Sequence, residues 1–136
     1  MVRRVFLAAP LFCESERQFN SMVAGRLRQS GFEVWLAQEA GLFKHGSPDE
    51  RRKVFRGDLS ALEGCDVVVA LLDGVDVDTG VAFELGYAHA VKKPIVGLKT
   101  DYRTFSKTEE VNLMLEAPLV RICRSVDEAV TALKKL

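Results

Sequence analysis

The sequence predicts an α/β protein: a doubly wound (flavodoxin/Rossmann-like) five-stranded parallel sheet with helices on both faces, built as one domain over residues 1–136. Three observations carry that prediction. Short apolar runs alternate five times with segments of helical periodicity. Those runs are near-continuous rather than alternating polar with apolar, as expected of strands covered on both faces. The 136 residues, 48% of them hydrophobic, suffice to bury one sizeable core but are short for two.

Val2 to Ala9 reads as the first strand, ended by Pro10. A helix is predicted from about Glu14 to Gln29, because Phe19, Met22, Val23 and Leu27 recur at helical spacing and Gly31 lies just past its end. Phe32 to Ala37 is the second strand. From Gln38 to Ser47 the chain reads as an irregular crossing, with Gly41 and Gly46 set around Phe43 and His45. Ser47-Pro48-Asp49-Glu50 then opens a helix, with Ser47 as N-cap, Pro48 in the first helical position and acids in the first turn. It runs to about Glu63 and closes at Gly64. Asp66 to Leu72 is the third strand, and the helical pattern behind it lasts to Lys93-Pro94. Strands four and five are Pro94 to Leu98 and Leu119 to Cys123, each followed by a helix. The last helix, Val126 to Leu136, puts Val126, Ala129, Val130 and Leu133 on one face.

Nineteen basic residues balance nineteen acidic ones, which argues against an electrostatic grip on nucleic acid or on an anionic membrane. The apolar run after Met1-Val2-Arg3-Arg4 is too short for a signal peptide, and no stretch approaches the roughly 20 residues that span a bilayer. A cytoplasmic protein without membrane contact is the expectation. Cys13, Cys65 and Cys123 are odd in number and lack any CxxC spacing, so neither disulfides nor zinc is expected. Cys65 and Cys123 read as core residues.

The first strand-to-helix turn carries neither GxGxxG nor a Walker pattern, which sets aside the usual dinucleotide and nucleoside-triphosphate cradles. Amides there, with Ser15 and Arg17, could hold a phosphate; an ordinary cap and a solvated arginine is the better reading. Asp73, Asp76 and Asp78 fail the EF-hand spacing, and the first strand ends Ala8-Ala9-Pro10 rather than in the paired acids of a phosphoacceptor domain. No metal and no cofactor are called for.

In such sheets ligands bind beyond the carboxyl ends of the strands. The stretch there that bears chemistry is Asp73-Gly74-Val75-Asp76-Val77-Asp78-Thr79-Gly80-Val81-Ala82-Phe83-Glu84-Leu85-Gly86-Tyr87-Ala88. Glu84 sits among apolar neighbours, with Tyr87 at i+3 and Ala88 at i+4, so it has no local cationic partner. An unpaired carboxylate in such surroundings is a candidate for chemistry. Near the start of its helix the dipole is expected to favour its ionised form, which can attack an electrophilic sugar carbon. Taken alone, the turn reads more readily as a solvated loop with helix-capping aspartates than as a catalytic centre.

Four blocks in order add a resemblance: Phe6-Leu7-Ala8-Ala9-Pro10-Leu11-Phe12, Arg56-Gly57-Asp58-Leu59, Asp78 to Ala88 with Lys93-Pro94-Ile95-Val96, and Val111-Asn112-Leu113-Met114. Together they resemble the nucleoside 2-deoxyribosyltransferases and the related nucleoside and nucleotide N-glycoside hydrolases. The resemblance implies that Glu84 is the nucleophile at C1′ of the deoxyribose, that Asp78 holds and protonates the departing base, and that Asp58 completes the catalytic set. It further implies substrate contacts from Phe6, Ala9, Pro10, Gly80, Asn112 and Met114, with Asn112 supplied by a neighbouring subunit of a homodimer or larger homo-oligomer. By their residues alone, Asp58 reads as an exposed helix charge beside Arg56, and Asn112 as a cap. Several of the transferases carry a Tyr at the place of Phe6, whose hydroxyl touches the nucleophile.

The implied partners are a small nucleoside or nucleotide and a free nucleobase. Transfer of 2-deoxyribose between bases is the leading reading, since a hydrolase subgroup has a non-acidic residue where Asp78 stands. Hydrolysis of a nucleoside or its 5′-monophosphate comes second, and a non-catalytic nucleotide-binding domain third. Tyr102, Arg103 and Lys107 lie in a stretch that reads at least as readily as a mobile solvated loop as it does as a phosphate contact.

Overall fold

The computed structural model describes residues 2–41 and 46–136. Its strands are β1 (Arg4–Ala8), β2 (Glu33–Leu36), β3 (Val67–Leu71), β4 (Ile95–Leu98) and β5 (Arg121–Cys123). The helices are α1 (Glu14–Gln29), α2 (Pro48–Gly64), α3 (Thr79–Ala90), α4 (Leu113–Glu116) and α5 (Val126–Lys135). All strand pairs are parallel, in the order β2-β1-β3-β4-β5. That is the doubly wound sheet the sequence predicts.

Side chains alternate across each strand, so the sheet has two apolar faces. Val5, Leu7, Val67, Val69, Val96 and Leu98 face α1 and α5, packing on Val23, Leu27, Ala129 and Leu133. Phe6, Ala8, Val68, Ala70 and Ile95 face the other way, onto Leu62 of α2 and Val81, Leu85 and Ala88 of α3. Cys65 and Cys123 are buried core residues, whereas Cys13 is exposed. Ser47 caps α2 by accepting a hydrogen bond from the Glu50 amide at 3.2 Å, and Pro48 occupies its first position.

Two expected elements differ. The fifth strand is confined to Arg121–Cys123. After β4 the chain runs irregularly over residues 99–112 before the short α4, because side chains there take backbone partners that a helix would need. The Ser106 hydroxyl accepts from the Glu109 amide at 3.1 Å, and Asp73 accepts from the amides of Thr100 and Asp101. The crossing after β2 begins with a 3₁₀ turn, Ala37–Glu39; Phe43 and His45 lie outside the described residues. No helix among the described residues is long and apolar enough to cross a membrane.

Side chains that follow β3 and precede β5 leave no slack at Gly97, within β4. A Cβ placed there would lie 2.8 Å from Leu72 Cδ1 and 3.1 Å from Leu119 Cδ1. Gly97→Ala is therefore expected to destabilise the fold by about 1–3 kcal/mol through overpacking. A lowered urea midpoint at unchanged slope would register it.

Candidate active site

The chain leaves β1 towards β2 on one side and reaches β3 on the other, so the order of the sheet reverses between β1 and β3. A crevice opens at such a point beyond the strand ends. On the α2/α3 face it forms a cavity of about 470 Å³. Phe6 and Trp35, register neighbours on β1 and β2, line it from the sheet. Ala9, Leu11 and Phe12 come from the turn after β1, and Ala37, Ala40 and Gly41 from the segment after β2. Lys53, Val54, Gly57 and Asp58 come from α2, and Asp78, Gly80, Val81 and Glu84 from α3.

The turn after β1 is held by Arg17, which the sequence suggests is solvated, and by Glu16. Arg17 Nη1 donates to the Leu11 carbonyl at 3.1 Å, and Glu16 Oε1 accepts from the Phe12 and Cys13 amides at 2.9 and 3.0 Å. Asp78 is the N-cap of α3: its Oδ2 accepts from the amides of Gly80 at 2.9 Å and Val81 at 3.1 Å. Oδ1 takes no part in that cap. The helix-capping reading thus holds for Asp78, and the same residue lines the cavity.

Glu84 stands one turn further along α3, half-buried, with no hydrogen bond or ion pair to another described residue. Burial pushes its carboxyl up, and the nearby Asp58 and Asp78 carboxylates push it further, to about 8. This corrects the expectation of a dipole-stabilised anion. The helix dipole acts within the first turn, whereas α3 begins at Thr79 and leaves Glu84 in the second, where desolvation and two like charges outweigh it. Asp58 is half-buried rather than exposed; burial raises its pKa, and the Trp35 indole opposes the rise. Phe6, 1% exposed, offers Glu84 no hydroxyl.

Of the residues singled out from sequence, Glu84, Asp78, Asp58, Phe6, Ala9 and Gly80 meet at this cavity. Pro10 lines an adjoining groove with Asp73 and Arg103, and its carbonyl accepts from Asn20 Nδ2 at 2.8 Å. Asn112 and Met114 line a separate cavity of about 330 Å³, with Lys99 and Val111. There Asn112 caps α4, its Oδ1 accepting from the Met114 amide at 2.9 Å. Asp73 is taken up by the 99–101 segment: it accepts from Thr100 N at 2.6 Å, from Asp101 N at 3.0 Å and from the Thr100 hydroxyl. In return Asp101 accepts from Gly74 N at 2.7 Å and pairs with the buried Lys99 and with Arg103. Sequence reasoning missed Trp35, Lys53, Val54 and Gly57. The last three stand with Asp58 at helical spacing on one face of α2, and that spacing is a readable signal once Asp58 is singled out.

Residues 5–117 match the sequence family described as nucleoside 2-deoxyribosyltransferase. The chain belongs to that family. Within the nucleoside 2-deoxyribosyltransferase family it is similar to a nucleoside deoxyribosyltransferase of Limosilactobacillus fermentum, 40% identical over 76 residues. That match spans 56% of this chain and 44% of the relative, less than half of the relative's length. Among solved structures, the 2-deoxyribosyltransferase of Bacillus psychrosaccharolyticus superposes with a TM-score of 0.81 at 27% identity, over 93% of this chain and 90% of that one. A CMP N-glycosidase of Clostridium botulinum superposes with a TM-score of 0.62 at 27% identity, over 98% of each chain.

Proposed function

We propose that this chain cleaves the N-glycosidic bond of 2′-deoxynucleosides and passes the deoxyribose to another nucleobase through a glycosyl ester on Glu84. The observation that carries the reading is a half-buried glutamate, without a hydrogen bond or ion pair among the described residues, beside two aspartates in one apolar-walled cavity. An Oε of ionised Glu84 bonds to C1′ as the C1′–N bond breaks; the bond pair leaves with the base, which takes a proton delivered through Asp78. Asp58 and Asp78 stabilise the cationic sugar between the two bonded states. An incoming base then attacks C1′ through a ring nitrogen, returns its N–H proton to Asp78, and the C1′–O bond breaks with its electron pair going back to the Glu84 carboxylate. Phe6, Leu11, Phe12, Trp35 and Val54 shelter that ester from water and give a planar base apolar surfaces to pack on.

Water in place of the second base would make the protein a hydrolase of a nucleoside or nucleoside 5′-monophosphate. Similarity to a CMP N-glycosidase supports keeping that reading second; the acidic Asp78 favours the first. Incubation with a 2′-deoxynucleoside and a different free base is expected to yield the exchanged nucleoside. Free base and sugar without exchange would establish hydrolysis instead. No turnover of any nucleoside or 5′-monophosphate, with ligand binding that survives Glu84→Ala, would leave a binding domain.

Asn112 acts, in this reading, on a neighbouring protomer. Its Oδ1 is engaged in the cap, so the amide NH₂ is the group that would donate to a sugar hydroxyl. Leu113 and Met114 beside it are exposed, Met114 by 78%, as suits residues that a second copy covers. Asn112→Ala is expected to lower turnover about tenfold or more, as loss of a hydrogen bond to the reacting sugar would. Full turnover by a protein that sediments as a monomer would overturn the role in trans.

A further inference from the structure

Trp35 belongs to no catalytic set so far described, yet it stands in the wall of the cavity. Its ring projects from β2 onto the α2/α3 side of the sheet, next to Phe6 in register and facing the helix that carries Asp58. Its indole Nε1 is shut off from solvent and has no hydrogen-bond partner in the structure. A buried donor left unspent is costly, so an acceptor within reach is favoured to close on it.

The acceptors in the cavity are few. Asp78 has one oxygen engaged in the α3 cap, and Glu84 stands a turn further along the same helix. Asp58, on α2, lines the same cavity and has no hydrogen bond or ion pair to another described residue, so it is the carboxylate free to take the indole N–H; the Trp35 indole also opposes the effect of burial there. We propose that Trp35 is a positioning residue of this site: its indole N–H orients Asp58 and holds it as the fixed anion beside Glu84. The inference rests on the N-glycoside-cleaving reading of the cavity.

The chemistry follows from crowding. Three carboxylates in one cavity compete for protons, and a neutral donor aimed at one of them decides which stays ionised. Among the described residues, the charged groups that line the cavity with Asp58 are Glu84 and Asp78 from α3 and Lys53 from its own helix. β1 and the turn after it present only Phe6, Leu7, Ala9, Leu11 and Phe12. With Asp58 held as the anion, Glu84 is the carboxyl that gains and loses the proton as substrate enters and leaves.

Trp35 is the single tryptophan of the chain, so its emission reports the contact without any turnover. A pH titration of the free protein's fluorescence is expected to show an acid-range step that survives Asp78→Asn and disappears in Asp58→Asn. A step that persists in Asp58→Asn, or that coincides with loss of near-ultraviolet circular dichroism, overturns the pairing. In kinetics, Trp35→Phe keeps a ring and removes the N–H. It is expected to lower kcat/KM about tenfold and to move the more acidic of the two breaks in the pH profile upward. In an Asp58→Asn background it should change nothing further. An unmoved break, or a full additive loss in that background, overturns the positioning role. Absence of turnover in the native protein would overturn the enzymatic reading alone, because the emission titration still tests the pairing.

Discussion

Glu84→Gln is expected to lower kcat/KM by at least about 10⁴-fold, the scale on which removal of a covalent nucleophile is felt. The same substitution is expected to stabilise the folded protein in alkali. Both effects share a cause, since the native carboxyl titrates near 8 rather than at its ordinary 4.5. In the proposed mechanism only the ionised form attacks C1′, so native kcat/KM should rise with pH through about 8, as a property of the free enzyme. Stability runs the other way. Between about pH 4.5 and 8 the folded state keeps a proton that the unfolded state has released, so stability is complete below 4.5 and falls as pH rises to 8. The loss is on the order of a few kcal/mol. Glu84→Gln removes the titration, and its thermal midpoint should exceed the native one at pH 9 while matching it at pH 5. Near-native turnover in the variant would remove the nucleophile assignment.

Asp78→Asn is the second large effect, an expected loss of about 10²–10³-fold in kcat from the missing proton delivery to the base. The cap allows a clean separation of roles. An Asn oxygen still accepts from the Gly80 and Val81 amides, so the melting temperature should hardly move, whereas Asp78→Ala should lose about 1 kcal/mol of stability as well. A deoxyribosyl donor whose leaving group departs without a proton should restore most of the rate in Asp78→Asn. If that donor suffers the full loss, Asp78 does not protonate the base.

Much of the sheet was legible because its signals are local. Apolar runs, the Ser47-Pro48 opening of α2 and the glycine stops each act over a few residues, and each element formed where those signals lie. Glu84 was legible for a similar reason, as a carboxylate with Tyr87 and Ala88 where a partner would stand. Its charge state was not, because that depends on Asp58 from another helix and on how far the cavity excludes water. Residues 99–112 escaped a strand-and-helix reading because their backbone is tied to Asp73, a long-range acceptor that no periodicity announces. Trp35 was hidden in plain view: inside an apolar run, a tryptophan reads as core until the facing helix is placed.

The reciprocal bonds between Asp73 and the Thr100–Asp101 amides, and between Asp101 and the Gly74 amide, have a mechanical consequence. They join the loops after β3 and β4 into one braced rim ahead of α3, so that a substitution freeing Asp73 or Asp101 is felt in both loops at once.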